Sequence, residues 1–234
     1  MRTLLLSVLF LVPLYAGDPP AAPSEEDAKA KVEGLKKALK GADEKEKKAA
    51  IAACADCPHA LVVAALAPVM VTENDDLRIE ATKALGKMKG NADAAKALHG
   101  ALKPNEKHDN VLKAVFTGIA LVNHVSSVAV CEKWIDDRLD LRDSDEVPGV
   151  IHAFDVLGFL KHKASVEVIL DLCNKKKVSG ENAGTGGGYK LKCGKHAEAS
   201  LVRLTGQEAF GDLELWKDWW KKHAGEFNED MTKK

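Results

Sequence analysis

Aromatic side chains are scarce in this chain, with six Phe, four Trp and two Tyr among 234 residues. That excludes one large core built on rings, so the 46% apolar content has to act through aliphatic side chains, many of them alanine. An excess of one charge is also missing, at 34 basic against 35 acidic residues. The balance removes the field by which a protein holds nucleic acid or an anionic membrane. No apolar run reaches the ~20 residues that cross a bilayer as a stable helix. The eight histidines show no H-E-x-x-H spacing. No Ser-His-Asp order, paired carboxylates or cofactor cradle can be read either, so the chain is expected to be non-catalytic and without a cofactor.

The first 16 residues, MRTLLLSVLFLVPLYA, have the form of an export signal: Arg2, a short apolar run from Leu4 to Tyr15, and a small residue at Ala16. Its removal would leave 33 basic and 35 acidic residues, a net of −2, on a protein expected to be periplasmic or extracellular. Residues 17–23, GDPPAAP, read as a flexible leader.

From Ser24 the character changes to helical periodicity. Ser24-Glu-Glu-Asp27 has capping-box form, and Ala28, Val32, Leu35 and Leu39 follow at helical spacing up to Gly41. Further helices are expected at about 43–54, 58–70, 76–89, 92–103, 109–122, 125–139, 147–161, 164–176, 190–205 and 212–224. Residues 178–189 carry five glycines and no periodicity, so they read as an inserted loop. The polar tail 228–234 is expected to fray.

The stretch 77–102, LRIEATKALGKMKGNADAAKALHGAL, states the rule for the whole chain. It reads as two short helices, each with a narrow alanine-rich stripe that cannot close a core alone. Such units need neighbours of their own kind. The spacing recurs: Ala81-x-x-x-Leu85-Gly86 returns as Ala153-x-x-x-Leu157-Gly158, 72 residues later with one pair between, a mean period of 36.

Asp75, Leu77, Arg78, Ala81, Ala84, Leu85 and Gly86 nearly meet the pattern Asp-x-x-Leu-Arg-x-x-Ala-x-x-Ala-Leu-Gly, and this resembles a HEAT repeat. Leu201-Val-Arg-Leu-Thr-Gly206, followed by Trp216-Lys-Asp-Trp219-Trp220, looks like the closing repeat of secreted bacterial HEAT-repeat proteins. The likeness covers about residues 43–227, and the unit at 108–139 departs from it with Gly118 in place of Leu. The resemblance implies an all-α fold, a right-handed α–α superhelix (armadillo-like solenoid) of about five helix pairs behind an N-terminal helix, in a domain spanning 24–227. It also implies that the second helix of each pair lines the concave face and that the work is binding a protein or peptide. On that assignment Trp134, beside Glu132, Asp136 and Asp137, is the candidate contact with the partner.

Cys54-Ala-Asp-Cys57-Pro-His59 is the one short motif with chemical potential. It lies at a helix C-terminus, where the dipole disfavours thiolate, and lacks two nearby ligands to complete a zinc site. A metal- or redox-linked envelope accessory protein using Cys54, Cys57 and His59 is the alternative function. Five cysteines in an exported chain suggest bridges Cys54–Cys57 and Cys173–Cys193 with Cys131 free. The second would close about 20 residues, worth ~3 kcal/mol by chain entropy. Cys193 and His196 stand at i, i+3, without a second ligand pair. Ala183 to Lys190 imitates a phosphate loop but fails on spacing, since Tyr189 separates Gly188 from Lys190 and no strand precedes it. Trp216, Trp219 and Trp220 read as a seal over the exposed end of the stack.

Overall fold

The computed structural model describes residues 23–41, 43–138, 148–175 and 194–234. The export signal, most of the leader, the glycine-rich loop and Cys193 therefore lie outside the described residues.

Six of the helices, α1 to α5 and α11, start where a polar side chain satisfies a free N–H group of the first turn. In α1 (Glu25–Lys40) Ser24 Oγ accepts from Asp27 N at 3.1 Å. Asp43 caps α2 (Glu44–Ala52), and His59 caps α3 (Ala60–Thr72) through Nδ1, which accepts from Leu61 N at 3.2 Å. Asn74 and Asn91 cap α4 (Asp75–Gly86) and α5 (Ala92–Leu102). Then come α6 (Asp109–Val122), α7 (Ser126–Arg138), α8 (Pro148–Phe159), α9 (Lys163–Lys175), α10 (Gly194–Thr205) and α11 (Leu213–His223). A 3-10 turn, Ala224–Glu226, follows. Among the described residues there are no strands, and the architecture is an all-α solenoid.

The helices form two layers. Even-numbered helices pack on even-numbered neighbours and odd on odd, with α3·α4, α5·α6 and α7·α8 joining the layers. The narrow stripes meet between them, so Leu77, Ala81, Leu85, Leu98, Val115, Ile119, Ile135 and Leu157 are all buried in one continuous core.

The layers are spaced unequally. In the even layer a Cβ on Gly86 would lie 3.2 Å from Gly118 Cα, and one on Gly158 would lie 2.7 Å from Ser200 Cβ. Gly118 is thus the fit that lets α4 and α6 touch, which explains its departure from Leu. The odd layer is splayed and leaves grooves between α1 and α3, α3 and α5, and α5 and α7. The even layer is therefore the more closely packed of the two, and the odd layer the more open.

Each long edge of the stack has its own hydrogen bonds. At one edge, turn holds turn: Asn91 Nδ2 donates to Pro58 O at 3.1 Å, Gly90 N to Val122 O at 2.7 Å, and Lys161 N to Asn123 Oδ1 at 3.1 Å. Asn123 occupies the left-handed region at φ 52°, which Asn tolerates better than most residues. At the opposite edge Asn105, fully buried, donates to Met70 O at 3.0 Å and Ala101 O at 2.8 Å and accepts from Arg78 Nη1 at 3.1 Å.

The far end of the stack is sealed by rings. Phe210 meets Trp216 edge-on at 4.9 Å, and Trp220 lies 5.7 Å from Phe227. Trp216 Nε1 donates to Glu198 Oε1 at 3.0 Å. The tail does not fray as its polarity suggests. Phe227 is buried, and Glu229 O accepts from Lys163 N at 2.9 Å, which satisfies an orphan donor at the start of α9.

Candidate functional site: the groove between helices 5 and 7

Splaying of the odd layer leaves a groove of about 810 Å³ between α5 and α7. Leu102, Ala129 and Val130 make its floor, while Lys103, Glu106, Lys133, Asp137 and Arg138 form its rim.

The rim is held by an ordered chain of contacts. Arg138 lies flat over the Trp134 indole, with Cζ 3.4 Å from the ring centroid. Its Nε donates to Glu106 Oε1 at 2.9 Å, and Glu106 also accepts from Lys103. The Lys103 and Arg138 cations hold the Glu106 carboxyl below its ordinary pKa. His99 closes one end with Nε2 2.9 Å from Ser127 Oγ. Burial, then the nearby His124, push its pKa down to about 4, so at neutral pH it presents an uncharged ring.

Trp134 is only 6% exposed and does not project into solvent. It packs edge-on against Phe116 at 5.6 Å, and Nε1 points at Gly149, where a Cβ would sit 3.0 Å away. That Nε1 is buried without a hydrogen-bond partner. Trp134 is therefore a wall of the groove fixed from behind. Its sequence neighbours do not gather with it. Asp137 lines the rim and pairs with Lys133 at 3.0 Å. Glu132 turns the other way, 3.8 Å from Lys175 of α9, whose charge also feels Asp136.

The cysteine motif does not assemble chemistry. Cys54 Sγ turns back to donate to Ala50 O at 3.4 Å, and burial raises its pKa. His59 Nδ1 is engaged as the cap of α3. Cys54 and Cys57 are free thiols, so the bridge expected between them is not formed, while the expected Cys173–Cys193 bridge involves Cys193, outside the described residues. Burial pushes Cys131 and Cys173 up to about 12. Among the described residues no three His, Cys, Asp or Glu side chains group closely enough to hold a metal ion, and no helix is long and apolar enough to cross a membrane.

Arg138, Glu106 and His99 were not marked by sequence reasoning. Their one signal was composition: charged and polar residues one turn from an apolar stripe, a common pattern on any helix.

No curated protein matches this chain. A solved crystal structure, described as an engineered protein, is similar at 15% identity with a TM-score of 0.43, covering 82% of this chain and 86% of its own. Residues 32–120 match the model of the HEAT repeats family. That stretch, running from α1 into α6, is thus similar to HEAT repeats, and the chain that contains it is an α-solenoid.

Proposed function

We propose that this protein is an exported, non-catalytic helical-repeat scaffold that binds a protein or peptide partner, in the periplasm or outside the cell. The observation that carries the reading is the groove between α5 and α7: an open apolar floor with a polar rim already fixed by Arg138, Glu106 and Trp134. A pre-ordered rim lowers the entropy cost of association, and an apolar floor supplies the area that a partner's side chains can bury. HEAT repeats commonly serve as protein-interaction scaffolds, which agrees with a surface of this kind.

The test is site-specific photocrosslinking in the native host. A photoreactive residue at Ala129, exposed on the groove floor, is compared with one at Lys45, exposed on α2. The expected result is a discrete adduct from position 129 that is missing from position 45 and is lost with Val130→Glu. Equal adduct patterns from both positions would remove the support for this groove.

A further inference from the structure

The even layer carries a second surface that the α5/α7 groove does not touch. Among the described residues, three of the large apolar side chains most open to solvent lie at one end of the even layer. They are Leu121 (56% exposed), Val125 (54%) and Phe159 (53%). Leu121 sits in the seam of α4 and α6, where its Cδ1 would be 3.4 Å from a Cβ on Gly86. Phe159 sits in the seam of α8 and α10, with Arg203 Cζ 4.1 Å above its ring. The bond from Lys161 N to Asn123 Oδ1 fixes the last turn of α6 beside the last turn of α8. Gly86, Leu121, Phe159 and Arg203 thus form one row across four helices.

The charge around that row is mostly positive, and the acids that border it are engaged: Glu80 with Lys83, Asp155 with His196 at 3.6 Å, and Asp230 of the docked tail near His162. Segments 81–91, 117–131, 156–166 and 199–207 contain no Asp or Glu, yet carry Lys83, Lys87, Lys89, Lys161, Lys163 and Arg203. Lys83 pairs with Glu80 at 3.3 Å. Lys87, Lys89 and Lys161 are exposed, and their side chains make no ion pair among the described residues. A chain with almost no net charge has here gathered cations around apolar side chains that nothing covers.

We propose that this row binds an extended acidic segment of a partner protein, one that alternates carboxylates with large apolar side chains. Three steps between neighbouring helices at about 8–10 Å each make the row about 24–30 Å long. An extended segment rising ~3.3 Å per residue covers it with eight or nine residues. Alternation suits the surface, because every second side chain turns toward Leu121 and Phe159, and the carboxylates on the other face stay within reach of the long, exposed Lys87, Lys89 and Lys161 side chains. A flat bilayer fits less well, since Leu121 and Phe159 sit in seams between helices, each with nearly half of its surface covered.

The experiment uses the full mature chain and a fluorescein-labelled peptide, Asp-Leu-Glu-Phe-Asp-Leu-Glu-Phe-Asp, read by anisotropy. A peptide with Asn and Gln replacing the acids is the control, and vesicles with one-third phosphatidylglycerol are the second probe. The acidic peptide is expected to bind at least tenfold more tightly than the neutral one, with affinity falling as salt rises. Lys87→Glu with Lys161→Glu should weaken it about tenfold or more, and Phe159→Ser about fivefold, while the melting temperature stays within a degree or two because these side chains are exposed. Val130→Glu in the α5/α7 groove should leave this binding unchanged, so the two surfaces fail or succeed separately. Equal binding of both peptides, no binding of the acidic one, or insensitivity to all three substitutions overturns the proposal. Vesicle binding lost with the same substitutions, without peptide binding, overturns it in favour of a membrane.

Discussion

Replacing Gly158 by Ala sets two effects of opposite sign against each other. In a helix interior Ala is favoured over Gly by about 1 kcal/mol. Against this, the new methyl would lie 2.6 Å from Ser200 Oγ and 2.7 Å from both Ser200 Cβ and Arg203 Nη1. Carbon atoms rest at about 3.5–4.0 Å, so α10 must move by about 1 Å. Overpacking of this kind costs about 1–3 kcal/mol. The shift also strains the buried bond from Ser200 Oγ to Phe154 O, 2.8 Å long, whose loss costs about 1 kcal/mol. The net is a destabilisation of about 2 kcal/mol, or about 4–8 °C in melting temperature for a chain of this size. Gly34→Ala and Gly100→Ala are the controls. Both sites are helical with nothing within 4 Å of the added Cβ, so each should raise the melting temperature by about 2–4 °C. Ser200→Gly in the Gly158→Ala background should recover part of the loss by making room from the other side. The assay is thermal unfolding by circular dichroism at 222 nm. If Gly158→Ala melts at or above the parent, α8 and α10 do not touch as described and the unequal layer spacing loses its main support.

Four further outcomes follow from named contacts. Asn105→Ala should cost about 2–3 kcal/mol in urea unfolding, because Met70 O and Ala101 O lose their donor inside the core; a change below about 0.5 kcal/mol contradicts that burial. Leu157→Asp places a charge where Leu157 is fully buried, and should cost several kcal/mol or prevent folding; an unchanged melting temperature would contradict it. His99 has a folded pKa of about 4, below its unfolded value, so the unfolded chain takes up the proton first and stability falls as pH drops from about 6.5 to 4. The loss, discounted for partial exposure, is on the order of 1–2 kcal/mol, and His99→Gln should flatten the stability curve in that window. Buried thiols with raised pKa should react slowly, so Ellman's reagent should leave Cys131 and Cys173 unmodified in the native protein and reach them only on unfolding; fast native labelling would contradict their burial.

The fold was legible because stripe and cap agreed. Wherever Ser, Asp or Asn preceded an apolar stripe, a helix began within a residue or two, and α6 lies at 109–122 as its spacing predicts. Pro68 was less transparent: α3 runs through it to Thr72, because on an exposed helix face the lost backbone bond costs less than ending a buried stripe. The docked tail could not be read at all, since its anchor is a backbone carbonyl, Glu229 O, which no side-chain pattern reports. The site was half legible. Periodicity placed Trp134 on a helix facing a neighbour, but only the packed layers show that Phe116 lies behind it and Arg138 in front. The cysteine motif misled because spacing in sequence says nothing about where a thiol turns, and Cys54 turns back along its own helix.

Which layer is the more tightly packed decides which surface is open to a partner. Pattern alone cannot settle that, because both layers present an apolar stripe inward and a polar face outward. The decision comes from residue size at the seams. Small residues at Gly86, Gly118, Gly158 and Ser200 let the even helices approach closely, while the odd helices stand apart even where α3 and α5 face each other through Ala64, Ala67, Ala97 and Gly100. Small side chains in one layer therefore do two things at once. They close the seams of the even layer, and they leave the looser odd layer to form the grooves. A volume change at those four positions is then a change of helix spacing as well as of stability. Gly86→Ala, with Gly118 Cα at 3.2 Å from its methyl, should show this as a larger radius of gyration by small-angle X-ray scattering in a chain that stays helical. A scattering profile identical to that of the parent would separate seam size from helix spacing and undo the link between them.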